Sequence, residues 1–428
     1  AQDFAFRGGG VYRSRVGMVS CRHAVGVCAV RYASVAAEND TENNIGLLTK
    51  VVGIGMTKFG AQGMQSGGNA ENSGQLRRVV DLLDIASSLR PATILVAGGD
   101  RTADLQLVES ARDHGIVERA ILIGRRDRLD KAVAMAGFHI PSQDLIALED
   151  DESMAAAAAE QVRTGAVDLV LKGNISTPVL NRHMLPLAER STVSLATVFD
   201  AAPIAGGRPI ILTDAGVTTV CTYGRMLGLI RNAIELARTS LGIARPRVAL
   251  LSANEKQVPS LLSTRLAAEL TAQPWPDAFV YGPLSFDLAT DPASVAVKGV
   301  PDHPMVAEVA GRADILVCPG IDSANILYKA IAAMAAYGEA SLAGLTLGFP
   351  VPYVILSRSD SVETRLLSVA LCSIHAQRSA KERTTPRATS VTNLEEPCIL
   401  AVNPGSTSLK LAVFAGERRR TQSRGPQH

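Results

Sequence analysis

Residues 93–124 read TILVAGGDRTADLQLVESARDHGIVERAILIG, and this stretch decides the fold class. The apolar segment TILVA ends in Gly-Gly-Asp, a helical pattern follows through Asp113, and a second apolar segment, AILIG, occupies 120–124. A short apolar run, a helix and another apolar run form the repeating unit of a parallel sheet. The stretch therefore predicts a strand, a helix and a neighbouring parallel strand.

The same alternation continues towards the C-terminus. Further strands are predicted at DLIAL (144–148), AVDLVLKG (166–173), PIILTDAG (209–216), RVALLSA (247–253), FVYGPL (279–284), ADILVCPG (313–320) and VPYVILS (351–357). Helical patterns lie between them, among them the alanine-rich stretch 152–164. A second helix is predicted to face a core through Met226, Ile230, Ala233, Ile234 and Ala237. The sequence predicts an α/β fold with mostly parallel sheets.

Composition limits the function classes. The chain has 428 residues, of which 47% are hydrophobic and 20% charged, so it can form two or three domains. A net charge of +2 gives no reason to expect a nucleic-acid or membrane partner. No apolar stretch approaches the roughly 18 residues of a membrane span. The six cysteines form no CxxC pair and no zinc spacing, which predicts free thiols, no metal and a reducing compartment, the cytoplasm.

The two ends differ from the middle. Residues 1–75 are rich in Gly, Ser and Asn, and 4–37 contain five arginines and no acidic residue. This composition is typical of a transit peptide, or of an N-terminal extension or misjudged gene start, and predicts poor order. Residues 383–396 are predicted to be a polar linker. The last segment, 397–428, combines a strand, a turn and a polar tail.

The first candidate site is VPYVILSRSDSVETRLLSVAL at 351–371. A strand ends near Leu356 and a helix begins near 361, so Ser357 and Arg358 lie at a helix N-terminus, which favours an anion. Arg358 adds a forked donor suited to phosphate. Asp360 and Glu363 have the spacing of a capping box, so Asp360 is read either as a cap or as a functional carboxylate. The buried face of the helix is predicted to comprise Leu366, Leu367, Ala370 and Leu371.

The second candidate site is LVLKGNISTPVL at 169–180. Lys172 and Gly173 close a strand, Thr177 can cap the following helix, and Pro178 suits the first helical position. Lys172, Ser176 and Thr177 would then surround a second helix N-terminus. Helix capping alone is an equally good explanation for Thr177.

The third candidate site is ILVCPGIDSANILYKAI at 315–331, where Asp322 or the following serine is predicted to cap a helix. Asn325 and Lys329 are one turn apart on one face of that helix, where surface polarity is the alternative reading of Lys329. Two lesser candidates are Asp214 and Asp287, each at a strand end, which would hold a ligand or cap the next helix. The helix predicted within 315–331 should face the core through Ile326, Leu327, Ala330 and Ile331.

Taken together, these segments resemble the phosphate acetyltransferase and phosphate butyryltransferase family over about residues 84–376. The phrases that carry the likeness are KGNIST, ILTDAG, YGPLSFD, VAGRADILVCPGIDSANILYK and VILSRSDSVE. The resemblance implies exchange of an acyl group between CoA and phosphate, with CoA as a substrate, no permanently bound cofactor and a homodimer. It also implies an isocitrate-dehydrogenase-like fold of two α/β domains with the site in the cleft. The first domain would be 76–207 completed by 349–382, and the second would be the inserted 208–348.

The resemblance also assigns roles. Arg358 would hold phosphate and Ser357 the carbonyl oxygen or the CoA sulfur, and transfer would be direct. Substrate contacts would come from Lys172, Ser176, Thr177, Asp214, Asp287, Asp322, Asn325 and Lys329. Acetyl-type members carry an acidic residue, proposed as the base, where this chain has Thr364. Either Asp360 substitutes for it or the reaction proceeds without a base.

The stretch AVNPGSTSLK at 401–410 resembles the first phosphate loop of acetate and butyrate kinases, over about 397–414. The resemblance assigns Asn403, Ser406, Ser408 and Lys410 to that loop. A kinase of this kind needs two domains, and 18 residues follow Lys410. We therefore expect no kinase activity from this chain.

Two other functions fit the same fold. Some malic enzymes carry a domain of this family as a regulatory tail, so the chain could be a non-catalytic acyl-CoA or acyl-phosphate sensor. Thr364 favours this reading, and the intact Ser357–Arg358 pair opposes it. An oxidoreductase of the isocitrate dehydrogenase fold is the second alternative, but the clustered aspartates for a divalent metal and the arginines for a hydroxyacid are absent from the sequence.

Overall fold

The computed structural model describes residues 75–136, 139–355 and 360–384, together with the backbone of three strands within 398–426. All of them belong to one unit, Asn69–His428. The predictions for 1–74, for Ser357, Arg358 and Ser406, and for most of the linker concern residues outside this part of the chain.

The first part of the chain alternates strands and helices as the sequence predicts. Its strands are β1 (Ala92–Ala97), β2 (Val117–Gly124), β3 (Leu145–Ala147), β4 (Leu169–Lys172) and β5 (Ser194–Ala201). Its helices are α1 (Leu82–Ser87), α2 (Thr102–Asp113), α3 (Arg126–Ala136), α4 (Asp151–Arg163) and α5 (Thr177–Met184).

The second part repeats the alternation. Its strands are β6 (Ile210–Thr213), β7 (Arg247–Leu251), β8 (Phe279–Leu284), β9 (Ile315–Val317), β10 (Ala340–Leu347) and β11 (Tyr353–Val354). Its helices are α6 (Tyr223–Thr239), α7 (Leu262–Thr271), α8 (Phe286–Thr290), α9 (Pro292–Lys298), α10 (Val306–Val309), α11 (Ile321–Ala336) and α12 (Val362–Thr384).

These eleven strands form one sheet in the order β3-β2-β1-β4-β11-β10-β5-β6-β9-β7-β8. Strands β1 to β4 and β11 pair in parallel, and so do β6, β9, β7 and β8. The three pairs between these two sets, β11–β10, β10–β5 and β5–β6, are antiparallel. The fold is α/β with a mostly parallel sheet, as predicted.

The sequence analysis missed two strands, β5 and β10. They pair antiparallel over eight positions in the middle of the sheet, from Ala340 opposite Ala201 to Leu347 opposite Ser194. Both are rich in Ala, Ser, Thr and Gly, so neither gives the continuous apolar run that marks the other strands. The small residues suit close packing, because the Gly344 N–H donates to Ser368 Oγ of α12 over 2.9 Å.

Strands β5 and β10 also set the direction of the second parallel set. Each antiparallel pair reverses the chain once, and three reversals separate β11 from β6. The carboxyl ends of β6, β9, β7 and β8 therefore lie at the edge of the sheet opposite to the carboxyl ends of β1, β4 and β11. Strand β10 lies in the predicted inserted segment 208–348 and pairs with β5 and β11. The division of the chain into two domains stays a prediction.

Two of the three predicted helix faces are buried. The α6 residues are at most 8% exposed, and the α12 residues Leu366, Leu367, Ala370 and Leu371 at most 7%. The prediction for α11 is wrong in part, since Ile331 is buried but Ile326 is 71% exposed and Ala330 is also exposed. Helix α11 is apolar on more than one face, so the sequence pattern does not indicate which face packs against the sheet.

The C-terminal segment forms a separate antiparallel sheet of β12 (Cys398–Pro404), β13 (Ser408–Ala415) and β14 (Arg418–Pro426). Residues 418–426 of the predicted polar tail form β14 and pair with β13. Among the described helices, none is long and apolar enough to cross a membrane.

Candidate functional site

A cavity of about 400 Å³ opens at the carboxyl ends of β1, β4 and β11. This is the edge at which ligands bind in open α/β sheets. Polar side chains from three helices and from the turn after β4 line the cavity. They are Arg101, Asp104, Lys172, Asn174, Thr177 and Arg365.

Two glycines let the turns after β1 and β4 touch. Gly98 has a φ of +79°, and the Asn174 N–H donates to Gly98 O over 2.6 Å. A Cβ on Gly173 would lie 2.3 Å from the same carbonyl oxygen. This close approach fixes the path of the chain from Lys172, the last residue of β4, to the start of α5.

The N-terminus of α5 faces the cavity through Thr177. Ser176, rather than Thr177 as predicted, is the N-cap residue, and its N–H donates to Asp151 Oδ2 over 2.9 Å. Asp151 of the neighbouring helix therefore satisfies the backbone N–H of the N-cap residue. This arrangement leaves the Thr177 side chain in the wall of the cavity, next to Lys172.

A carboxylate and two guanidinium groups also line the cavity, and the sequence analysis did not identify them. Asp104 is fully buried in the first turn of α2 and accepts from Arg101 Nε over 2.8 Å and from an Arg365 terminal nitrogen over 2.5 Å. The signal in the sequence is a charged residue on the buried face of α2, which continues at Val108 and Ala111. A buried charge needs partners, so Asp104 could have been identified from the sequence as a residue that requires an ion pair.

The start of α12 is organised by a serine and a threonine. Ser361 Oγ accepts from the Thr364 N–H over 3.1 Å and donates to Thr364 Oγ1 over 3.0 Å. The predicted pairing of Asp360 with Glu363 is thus displaced by one residue. Thr364, where the resemblance expects the acidic residue of acetyl-type members, is 6% exposed and takes part in this cap.

Asp360 is held from α11. The Tyr328 hydroxyl donates to Asp360 Oδ1 over 3.0 Å. Burial and the negative charge of Asp360 raise the pKa of Tyr328, so the hydroxyl is protonated at neutral pH and acts as the donor. Asp360 is therefore oriented by a side chain from the predicted inserted segment.

Asp214 and Asn325 lie at the other edge of the sheet. Asp214 is 2% exposed, and its carboxylate accepts from the backbone N–H groups of Leu195, Gly216, Val217 and Thr218. Asn325 Nδ2 donates to Ala215 O of the same loop over 2.9 Å. Leu195 is at the amino end of β5, which is the edge opposite to the cavity. The resemblance assigns Asp214, Asn325 and Lys172 to one substrate site, and the reversal at β10, β5 and β6 places the first two at the edge of the sheet opposite to Lys172.

The other candidate site residues from 208–348 are Asp287, Asp322 and Lys329. Asp287 accepts from Ser285 Oγ over 2.7 Å and pairs with Lys298. The bond from Lys298 and then the one from Ser285 lower the pKa of Asp287 to about 2. Its strand, β8, is seven positions from β4 in the sheet, or roughly 30 Å at about 4.8 Å per strand.

On α11, Gly320 rather than Asp322 is the N-cap residue, with an extended backbone. Asp322 is an exposed residue of the first turn. The ammonium group of Lys329 lies 5.1 Å from the centre of the Tyr328 ring, close to the residue that holds Asp360. Of the predicted residues on α11, Lys329 is thus the one that lies beside Tyr328, the residue that contacts Asp360.

The charges of the cavity favour an anion. Arg101, Lys172 and Arg365 outnumber the carboxylate of Asp104, and the N-terminus of α5 adds its backbone N–H groups. Among the described residues, no group of three or more His, Cys, Asp or Glu could hold a metal ion. Ile355, two residues before Ser357 in the sequence, lines the cavity.

The predicted kinase loop is only partly described. Asn403 lies in β12 opposite Lys410 in β13, and Ser408 is the first residue of β13. Ser406 lies outside the described residues, as do the positions of all side chains in this sheet. The resemblance of this segment to an acyl kinase stays a prediction.

Comparison with known proteins gives a consistent result. Residues 143–373 match the family described as phosphate acetyl/butaryl transferase. The phosphate butyryltransferase of Clostridium acetobutylicum is 30% identical over 280 residues, which are 64% of this chain and 89% of that protein. The phosphate acetyltransferase of Rhizobium meliloti is 29% identical over 303 residues, covering 69% and 93%. The crystal structure of a branched-chain phosphotransacylase from Enterococcus faecalis V583 has a TM-score of 0.56 and 31% identity, covering 67% of this chain and 99% of that one.

Proposed function

Because this chain belongs to the phosphate acetyl/butaryl transferase family, we propose that it interconverts a short-chain acyl-CoA and inorganic phosphate with an acyl phosphate and free CoA. The observation that carries the proposal is the cavity at the carboxyl ends of β1, β4 and β11, with its excess of cationic side chains. The acyl group is acetyl, butyryl or another short chain, in the range that the names of its relatives cover.

The reaction is a direct transfer. A phosphate oxygen attacks the thioester carbonyl carbon, the carbon–sulfur bond breaks, and the sulfur leaves as CoA thiolate, which takes up the proton released from phosphate. The three cysteines of the described region do not favour a covalent intermediate: burial raises the pKa of Cys318 to about 12 and also raises those of Cys221 and Cys372. The enzyme's contribution is to hold the two substrates in contact and stabilise the developing charge.

Lys172 and Thr177 would hold the phosphate with the N-terminus of α5, where Ser176 is the cap. Arg358 would add a forked donor, and Ser357 would donate to the carbonyl oxygen or sulfur. Asp360 is the candidate base, because Tyr328 orients its carboxylate while Thr364 has no acidic group to offer.

The first test is release of free CoA thiol when phosphate is added to acetyl-, propionyl- or butyryl-CoA. We expect phosphate-dependent release from the wild type and at least a 100-fold lower kcat/KM for Arg358→Ala, since a charge-assisted bond at the reacting group is lost. The fastest substrate identifies the acyl group. Unchanged release in the variant would contradict the role of Arg358. Adding ADP and Mg²⁺ to the same assay tests the expectation that no kinase activity accompanies transfer.

A non-catalytic sensor is the second candidate, favoured by the uncharged Thr364 in the family's acidic position. Tight acyl-CoA binding without phosphate-dependent thiol release would support it and exclude the transferase. Replacing Thr364 with Asp would then be informative, because restored release would identify this position as the cause.

We also propose a homodimer in the cytoplasm. The free cysteines of the described region, Cys221, Cys318 and Cys372, fit a reducing compartment. The exposed apolar face of α11, with Ile326 at one end and Tyr337 at the other, supports a protein interface.

A further inference from the structure

We propose that Arg365 binds the phosphate co-substrate and that Asp104 is its positioning residue. This inference rests on the proposed transferase function and adds a binding residue to it. The observation behind it is the ion-pair network Arg101–Asp104–Arg365 in the wall of the cavity.

The network is built around a buried charge. The Asp104 side chain has no exposed surface, Arg365 is 17% exposed and Arg101 is 40% exposed. Each oxygen of the carboxylate accepts from one guanidinium group, over 2.8 Å from Arg101 and 2.5 Å from Arg365. Gly173 packs directly against the carboxylate, since a Cβ at this position would lie 3.0 Å from Asp104 Oδ2.

A purely structural ion pair does not explain the number of charges. One guanidinium group is enough to neutralise a buried carboxylate, and a second one leaves a net positive charge at the cavity. Lys172 adds another cation to the same cavity. An anion in the cavity removes this imbalance, and phosphate carries the charge and the acceptor oxygens to do so.

Arg365 is the guanidinium group best suited to contact that anion. It extends from the first turn of α12, and its bond to Asp104 involves one nitrogen of a side chain that carries five N–H donors. The bond fixes the orientation of the planar group, so little side-chain entropy is lost when a phosphate oxygen binds. Lys172 and Thr177 line the same cavity, so a phosphate bound there by Arg365 would have these two side chains as further partners.

Steady-state kinetics separate this role from a structural one. For Arg365→Gln we expect the KM for phosphate to rise about 10- to 100-fold, as for the loss of a charged hydrogen bond, while the KM for acyl-CoA changes less than about twofold. Arg365→Lys keeps the charge but loses the fork, so its KM for phosphate should rise by an intermediate factor. Asp104→Asn should raise the same KM, because Arg365 loses its fixed partner.

The control is Arg378→Gln on the same helix. Arg378 donates to the carbonyl oxygens of Thr239 and Ser240 at the C-terminus of α6 and does not line the cavity. If loosening of α12 caused the effects, this variant would raise the KM for phosphate as well. Equal effects of Arg378→Gln and Arg365→Gln, or a rise only in the KM for acyl-CoA, would overturn the proposal.

Arg365→Gln leaves Asp104 with one partner and could fail to fold. The double variant Asp104→Asn/Arg365→Gln removes the buried charge together with its partner, and it should fold and still show the raised KM for phosphate. The two single effects should not add, because both act through one contact. A double variant that folds and keeps the wild-type KM for phosphate would refute the inference.

Failure of the proposed function gives a different result. If the wild type shows no phosphate-dependent thiol release, phosphate binding is measured directly as the rise of Tm with phosphate concentration. If Arg365 binds phosphate, this rise of Tm is still expected to be lost in Arg365→Gln and kept in Arg378→Gln. A rise that is the same in all three proteins would overturn the inference even without activity.

Discussion

Gly173 controls the cavity at the scale of a single residue. Any side chain there would meet Gly98 O at 2.3 Å and Asp104 Oδ2 at 3.0 Å, so Gly173→Ala forces the turns after β1 and β4 apart. We expect a loss of about 3 kcal/mol in the free energy of unfolding, the upper part of the range for overpacking, and loss of phosphate-dependent thiol release. Thermal unfolding and the thiol assay measure the two effects.

The matched control is Gly224→Ala. Gly224 lies in the first turn of α6 with nothing within 4 Å of its Cβ position, so alanine should be neutral or stabilising by up to about 1 kcal/mol. A Gly173→Ala protein as stable and active as the Gly224→Ala protein would show that the turns can separate without harm.

At this scale, the sequence identified residues that stand at the end of a predicted strand or the start of a predicted helix. Lys172 and Thr177 were found because a strand end and a helix start are visible in the sequence, and both line the cavity. Asp104 and Arg365 were missed because they are 261 residues apart and only the fold brings them together. Pairing across such a distance depends on which helices are neighbours, and this information is not contained in a local pattern.

At the scale of elements, α11 and α12 meet through Tyr328 and Asp360. Tyr328→Phe keeps the half-buried ring and removes the hydroxyl that orients the carboxylate. If Asp360 is the base, we expect kcat to fall about 10-fold with little change in either KM, since a bond to a charged group is lost. Steady-state kinetics at saturating acyl-CoA measure this.

Tyr337→Phe is the control for that prediction. Tyr337 ends the same helix and is 86% exposed, so removal of its hydroxyl should leave kcat unchanged. An unchanged kcat in Tyr328→Phe as well would show that the bond between the two helices does not serve the reaction.

Helices and strands differ in how far the sequence predicted them. The predicted buried faces of α6 and α12 were confirmed, because a periodic apolar pattern identifies the side of a helix that packs against the core. The caps of α5, α11 and α12 were each displaced by one or two residues, since Ser, Thr and Asp stand next to one another at these starts. Strands β5 and β10 were missed because their small and polar residues are selected by packing against neighbours rather than by burial in a continuous apolar run.

At the scale of the molecule, the direction of the strands decides which residues can meet. Alternating strands and helices predicted the α/β class correctly. The sequence does not reveal that β10, β5 and β6 reverse the second parallel set, because antiparallel pairing depends on the order of strands in the sheet. For this reason Asp214 and Asn325 were expected near Lys172 and lie at the opposite edge.

The exposed face of α11 predicts how two chains assemble. Ile326, Ala330, Ala333 and Tyr337 are exposed and follow one another by four, three and four residues, which places them on one side of the helix. The order of bulky, small, small and bulky residues is the same in both directions. A second copy packed antiparallel would therefore set Ile326 against Tyr337 and alanine against alanine, a self-complementary contact of the kind that a twofold axis requires.

Ala333→Arg tests this interface, since it places two arginines where the helices come closest. We expect the wild type to sediment as a dimer and the variant to dissociate with at least a 100-fold higher Kd, because two like charges would be desolvated in contact. Val297→Arg is the control: Val297 is 86% exposed on α9, outside this face, and its replacement should leave the dimer intact. Analytical ultracentrifugation over a range of concentrations measures the three proteins. A dimer that survives Ala333→Arg would place the interface elsewhere, whereas dissociation by both substitutions would show that added charge, rather than its position on α11, separates the chains.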